Sequence, residues 1–395
     1  MNRRHDIDAL RVIAFGLLIL YHVGMVYVAG WGFHIKSSYQ SEWLQWPMLL
    51  SNRWRMALLF VISGIALSFL RPRSGLLRLA GQRSLRLMLP LLFGMFVVVP
   101  IQPWCEARAS GAIDFGFGEF MWRYWRFGPW PPITWTADKL LGITWNHLWY
   151  LVYLWLYTLV LIALMPLMET RAGRWLQDRF TGLRGAWLLL IPALPKMLYL
   201  ATLGDAYPPD NGLFDDWYQH AFYFTWFVFG YWLGRNQGLW DELLRLRWHS
   251  LGLAIICYAI YAPIVLRWEG PDFGGVPLLA MRWLSGLNTW MWIATALAWS
   301  YRWLNRPFAW LDYANRAVYP WYILHQSLIV LLAWWLIPKQ LGPVVEPALL
   351  IGGTMLGCAA LHHFVIRPLR LLHSFFGLKT APRTEGPETA SRLAA

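Results

Sequence analysis

The chain has 395 residues, of which 58% are hydrophobic and only 14% charged, with a mean hydropathy of +0.39. Soluble domains carry about a quarter charged residues, so this composition excludes an ordinary soluble protein and points to a multispanning membrane protein. The formal net charge of +13 does not describe a nucleic-acid binder, because most Arg fall in short stretches between apolar segments, where they set topology.

The length rule predicts an all-α polytopic protein of about ten membrane helices. The stretches are 9–29, 47–69, 85–101, 148–168, 186–203, 218–233, 251–266, 278–301, 318–337 and 347–369. The first is prefaced by Arg4-His5-Asp6-Ile7-Asp8-Ala9-Leu10-Arg11 and contains Tyr21-His22. Its apolar run exceeds a signal-peptide core and lacks a small-residue cleavage site, so it reads as a retained anchor. Arg11 and His22 lie eleven residues apart, three helical turns, so they share one face about 16 Å apart. Asp8 sits one turn before Arg11 and is placed to pair with it. An ionisable residue at mid-membrane is costly, which makes His22 a functional-site candidate.

The second stretch enters with Asn52-Arg53-Trp54-Arg55 and continues to Ile62-Ser63-Gly64. Arg53 alone reads as a snorkelling residue, but two Arg followed by a Ser-Gly break read as a site. Gly64 permits a close approach by another helix or a ligand. Guanidinium groups suit carboxylate, phosphate or developing oxyanion charge.

The loops then test the count. Arg4, the run 71–86, the run 171–184, Arg235 with Arg245 and Arg247, Arg302 with Arg306 and Arg316, and Arg367 with Arg370 mark every second connection. The alternate connections are poor in Lys and Arg, and one carries Asp205, Asp210, Asp215 and Asp216. This alternation places both termini in the cytoplasm. The long third loop is rich in Trp, including Trp104, Trp122, Trp125, Trp130, Trp135 and Trp145, and also holds Arg123 and Lys139. Such rings suit sugar faces, but an interfacial belt is the simpler reading.

Further along, His147 and Tyr150 stand one turn apart, as do Tyr322 and His325 in Tyr319-Pro320-Trp321-Tyr322-Ile323-Leu324-His325. The adjacent pair His362-His363 points in two directions, and Cys105, Cys257 and Cys358 are isolated, so no metal site or disulfide framework is expected. Residues 1–378 read as one transmembrane domain and 379–395 as a disordered cytoplasmic tail.

These groups support acyl transfer to a hydroxyl. A His of suitable intrinsic pKa takes the hydroxyl proton, a buried Arg stabilises the oxyanion, and cytoplasmic Arg suit the phosphates of a coenzyme A donor. A transporter of a small anion or glycan through the same cavity is the second reading, but no inverted repeat supports it. A purely scaffolding protein leaves Arg11, His22, Arg55 and His325 unexplained.

Four segments in order resemble the acyltransferase family 3 integral membrane proteins. They are Asp8-x-Leu10-Arg11 with His22, Arg55 through Phe60-Val61-Ile62-Ser63-Gly64, His147-Leu148-Trp149-Tyr150-Leu151, and Tyr319-Pro320-x-Tyr322-x-Leu324-His325. The Arg55-Met56 and His147-Leu148-Trp149 forms look most like the glucan biosynthesis protein C branch, whose members resemble periplasmic glucan succinyltransferases. The resemblance implies an acyl-coenzyme A donor at the cytoplasmic side and an exported carbohydrate acceptor. It implies the cell inner membrane, with His22, Arg55 and His325 as catalytic residues. Arg11 would bind or orient the donor, and the expected binding set is Asp8, Arg11, Arg53, Ser63, His147, Tyr150 and Tyr322. Tyr153 and Trp155 depart from the family by standing where many members have Glu.

Overall fold

The computed structural model describes residues 3–70, 75–127, 143–267 and 276–378. Arg71, Arg73, Trp130, Trp135, Lys139 and the tail 379–395 lie outside the described residues. Among those described there is no β-strand, only an isolated bridge between Val28 and Ser41.

Helix stands at each of the ten expected stretches. In chain order, α1 is His5–Tyr27, α2 Gln45–Ser68, α3 Leu76–Phe93, α4 Ile101–Ala109, α5 Phe117–Trp125, α6 Trp149–Met168, α7 Arg171–Thr181 and α8 Gly185–Leu190. Then come α9 Leu194–Thr202, α10 Trp217–Leu233, α11 Gln237–Arg245, α12 Arg247–Arg267, α13 Leu278–Leu304, α14 Leu311–Leu336, α15 Val345–Ala360 and α16 Arg370–His373. Seven of these units are long and apolar enough to cross a membrane: α1, α3 with α4, α6, α8 with α9, α12, α14 and α15 with the π turn that follows it. The remaining three expected stretches are helical but break that pattern. α2 carries two arginines, α10 is only 17 residues long, and α13 is interrupted by Asn, Thr and Trp.

Several expected boundaries move; the ninth stretch, for example, begins at Leu311, so Arg316 belongs to α14. The third stretch begins nine residues early, at Leu76, so Arg78, Arg83 and Arg86 belong to α3 and not to a loop. It then passes through a π turn at Gly94–Val98 into α4. The fifth stretch is not one helix. Pro192 and Pro195 cannot donate backbone hydrogen bonds, and the chain turns at Ile191–Ala193 between α8 and α9. Backbone near this break is used by α13: Leu188 O accepts from Trp290 Nε1 at 2.8 Å, and the Gly286 position has room only for hydrogen against Ala193 O, which a Cβ would meet at 2.7 Å.

The closest backbone approach joins α2 and α10. A Cβ at Gly64 would collide with Phe227 O, and one at Gly230 with Val61 O. The reciprocal overlap means that each glycine admits the other helix's backbone, the small-residue packing that drives helix association where no water is present. Gly64 therefore serves a helix partner here, not a ligand.

At one end of the bundle Arg3 bridges Asp8 at 2.9 Å and Asp312 at 2.6 Å, and the Arg4 guanidinium lies 3.9 Å from the centre of the Trp240 ring. The opposite end carries the connections at 28–44, 143–148 and 203–216.

Candidate active site

A cavity of about 630 Å³ opens among the connections at this opposite end and reaches down between α1, α2 and α14. That is the size of a small-ligand site. His22, Arg55, His147 and Tyr322 line it, together with the rings of Tyr21, Trp31, Trp149 and Tyr223 and the amides of Asn52, Asn146, Asn211, Gln219 and Gln326.

His22 comes from α1, where it lies at helical spacing from Leu18 and Met25, which share the cavity wall. Its Nδ1 is 3.0 Å from Nε2 of His325 on α14. The other ring nitrogen of His325, Nδ1, faces two backbone carbonyls, Tyr322 O at 2.8 Å and Trp321 O at 3.2 Å. Carbonyls only accept, so Nδ1 of His325 carries the hydrogen and its Nε2 is a lone pair. His22 must then donate from Nδ1, which leaves His22 Nε2 as the basic atom. His325 itself does not line the cavity; it touches His22, and the Phe15 ring packs edge-on against it at 5.6 Å.

His147 stands in the 3-10 turn Asn146–Leu148 just before α6. Its Nε2 donates to Ile323 O at 3.2 Å and its Nδ1 accepts from Gln102 Nε2 at 3.2 Å. Both nitrogens are occupied, so His147 supports α14 and has no free lone pair for chemistry. Tyr322 donates its hydroxyl to His147 O at 2.6 Å.

Arg55 is 4% exposed, and its Nε and Nη1 have no hydrogen-bond partner among the described residues. The guanidinium carbon lies 3.8 Å from the centre of the Tyr21 ring. That cation–π contact offsets part of the burial cost, and among the described residues Arg55 forms no ion pair, although Asp210 lines the same cavity. A buried cation without an ion-pair partner is expensive, and its free donors suit an anionic or developing-anion group.

The other expected site residues separate into groups. Arg53 faces away: its guanidinium sits 5.6 Å from the Tyr261 ring on α12, and its carbonyl accepts from Thr289 on α13. Two residues on a helix differ by about 200° in direction, which is why Arg53 and Arg55 part. Asp8 and Arg11 lie toward the arginine-rich end, with Arg11 Nη1 3.5 Å from Asp8 and 3.2 Å from Asn315. Ser63 and Tyr150 share a hydrogen bond of 2.7 Å and do not line the cavity. Among the described residues no group of three or more His, Cys, Asp or Glu could hold a metal ion.

Sequence reading missed several polar residues at the site. Gln326 follows His325 directly, and Gln102 with Glu106 form an i, i+4 pair on α4 inside an apolar stretch; either was a usable signal. It also missed Asp216. The Tyr153 hydroxyl donates to Asp216 Oδ2 at 2.7 Å, so the loop before α10 delivers a carboxylate to α6. Asp216 in turn accepts from Asn211 N at 2.9 Å and so holds the 209–211 rim of the cavity. Of the third-loop tryptophans, the described Trp104, Trp122, Trp125 and Trp145 do not line the cavity: Trp122 and Trp125 are half-exposed, while Trp104 packs on Trp334.

A family model described as an acyltransferase domain, Acyl_transf_3, matches residues 4–363. The chain belongs to that acyltransferase family. No curated protein and no solved structure matches it. The match spans every helix that builds the cavity, so this acyltransferase holds its paired histidines and its buried Arg55 within the family's own domain.

Proposed function

We propose that the protein is a membrane O-acyltransferase of a bacterial-type inner membrane that moves an acyl group, acetyl or succinyl, from acyl-coenzyme A to a hydroxyl of a periplasmic or cell-surface glycan. The reading rests on one observation: His22 Nε2 is left as a lone pair by the His325 contact in a cavity that also holds Arg55, whose Nε and Nη1 have no hydrogen-bond partner among the described residues. His22 takes the proton of the attacking hydroxyl as the oxygen bonds to the thioester carbonyl carbon. Arg55 meets the negative charge that grows on the carbonyl oxygen, and the thiolate of coenzyme A leaves with a proton returned from His22. The aromatic and amide lining supports a carbohydrate acceptor, since rings cover the apolar faces of sugars and amides read hydroxyls. Ten spans with both termini in the cytoplasm put the cavity mouth on the periplasmic side and Arg11 on the donor side. The likeness to the glucan biosynthesis protein C branch favours succinyl.

The test is mass spectrometry of periplasmic and surface glycans from cells with and without the gene product, donor supply held equal. A new ester of defined mass is expected and identifies donor and acceptor class together. His22→Ala, inserted at normal abundance, is expected to abolish it. Unchanged glycans, or full ester yield from His22→Ala, overturns the reading.

A further inference from the structure

Behind the wall of the cavity formed by Asn146 and Gln326 lies a buried acid–imidazole pair. His34, from the connection after α1, places Nδ1 2.6 Å from Oε2 of Glu106 on α4, with side chains 0% and 6% exposed. The other nitrogen of His34, Nε2, is met by two amide nitrogens, Asn146 Nδ2 at 3.1 Å and Gln326 Nε2 at 3.3 Å. The Gln326 amide is oriented independently: the same nitrogen also faces Gln102 Oε1 and Asn146 Oδ1, each at 3.1 Å. Gln102 is itself fixed, because its Nε2 donates to Ser327 Oγ at 2.8 Å and to His147.

The hydrogens can be assigned by elimination. The amide nitrogens are donors, so His34 Nε2 is an acceptor and the His34 hydrogen sits on Nδ1, pointing at the Glu106 carboxylate. Asn146 then has both polar ends committed. Gln326 has its nitrogen committed and its carbonyl oxygen, Oε1, without a protein partner among the described residues, on a side chain that lines the cavity. A fixed acceptor facing the cavity fits a hydroxyl donor.

We propose that the His34–Glu106 pair is a positioning device for the acceptor substrate. Glu106 selects the His34 tautomer, His34 orients the amides of Asn146 and Gln326, and Gln326 Oε1 accepts from a hydroxyl of the acceptor other than the one that reacts. The inference rests on the acyl-transfer reading for the identity of the ligand, but not for the tautomer. If Glu106 became an amide it could donate to Nδ1. The His34 hydrogen would then move to Nε2, two donors would face a third, and Gln326 would turn its nitrogen toward the cavity.

Two measurements on the full chain test this. In lipid nanodiscs with nitrogen-15 histidine, wild-type His34, assigned by its loss in His34→Phe, is expected as the neutral Nδ1–H tautomer, and Glu106→Gln is expected to shift it to Nε2–H. In membranes supplied with radiolabelled acetyl- or succinyl-coenzyme A, Glu106→Gln is expected to lose at least about tenfold in glycan ester, the worth of one misplaced hydrogen bond, while thioester hydrolysis without acceptor stays at the wild-type level. Gln326→Met should show the same ester loss, and the double variant should be no worse than either single one. A wild-type His34 protonated at Nε2 or at both nitrogens overturns the proposal. So does wild-type ester yield from Glu106→Gln, or ester and hydrolysis falling together. If wild-type membranes form no ester at all while His34 shows the expected tautomer, the failure lies with the acyl-transfer reading and the positioning role for a hydroxyl acceptor falls with it.

Discussion

His22 and His325 come from helices separated by 303 residues, yet the chemistry of each depends on the other. A lone imidazole in a cavity populates two neutral tautomers, and only one presents its lone pair to a substrate. His325 removes that choice because backbone carbonyls at positions 321 and 322 already hold its own hydrogen. It acts through His22 and positions it. The expectation is that His325→Gln, whose side-chain oxygen can replace the Nε2 acceptor, keeps ester formation within about tenfold of wild type, whereas His325→Leu loses much more than that. Comparing the rates of the two variants at equal membrane abundance checks this, and equal loss in both would show that acceptor geometry is not what His325 supplies. Arg55 likewise depends on its direction. Its neighbour in sequence, Arg53, has the same chemistry and a different role, because the helix turns it toward the Tyr261 ring.

At the scale of elements, the α2–α10 contact fixes where Arg55 and Tyr223 stand, since both flank the glycine seam. Gly64→Ala inserts a methyl group into Phe227 O with no flexible atom available to yield. The helices must separate, and overpacking of this kind costs about 1–3 kcal/mol. A lower thermal midpoint in detergent is expected, with a similar fall for Gly230→Ala. The double variant should fall by less than the two combined, because one separation relieves both overlaps. The α8–α9 break has the opposite character: proline removes donors, and the vacated Leu188 O accepts from Trp290, while Lys196 of α9 ties the break to α13 by donating to Ser285 O at 3.3 Å and Thr289 Oγ1 at 2.7 Å.

For the molecule as a whole, charge divides the two ends. On the arginine-rich side, Glu242 of α11 accepts from Arg245 Nε at 2.8 Å and from the first backbone N–H of α8 at 2.6 Å. The Arg245 hydrogen bonds hold its carboxyl down to about 2, below the ordinary 4.5. A carboxyl depressed on folding stabilises above its unfolded value and loses that contribution as pH falls through the folded one. Glu242→Gln is therefore expected to lower the melting temperature by a constant amount above about pH 5, a difference that shrinks between pH 4.5 and 2. Melting curves of both proteins across that range check the sign. The proposed topology is tested separately. The native cysteines are all buried, so added ones report cleanly. Ser38→Cys should react with an impermeant maleimide in intact cells, and Ala172→Cys only after permeabilisation; the reverse order would invert the topology.

Run lengths and polar interruptions were enough to read a helical membrane protein, to set helix at the ten stretches, and to single out His22, Arg55 and His325. Those properties follow from hydrophobic run length and from the cost of burying charge, and both are local. The start of α3 moved because arginines at a helix end read as loop, and the fifth stretch broke because Pro192 and Pro195 lack backbone donors. Which polar groups meet depended on packing between helices. It turned Arg53 and Arg55 apart, brought Asp216 to Tyr153, joined His34 to Glu106 across 72 residues and set the tautomer of His22. The reason is geometric: a hydrogen bond between helices depends on the rotation and depth of both, which are fixed by packing partners such as Gly64 and Gly230 and not by the spacing within either helix.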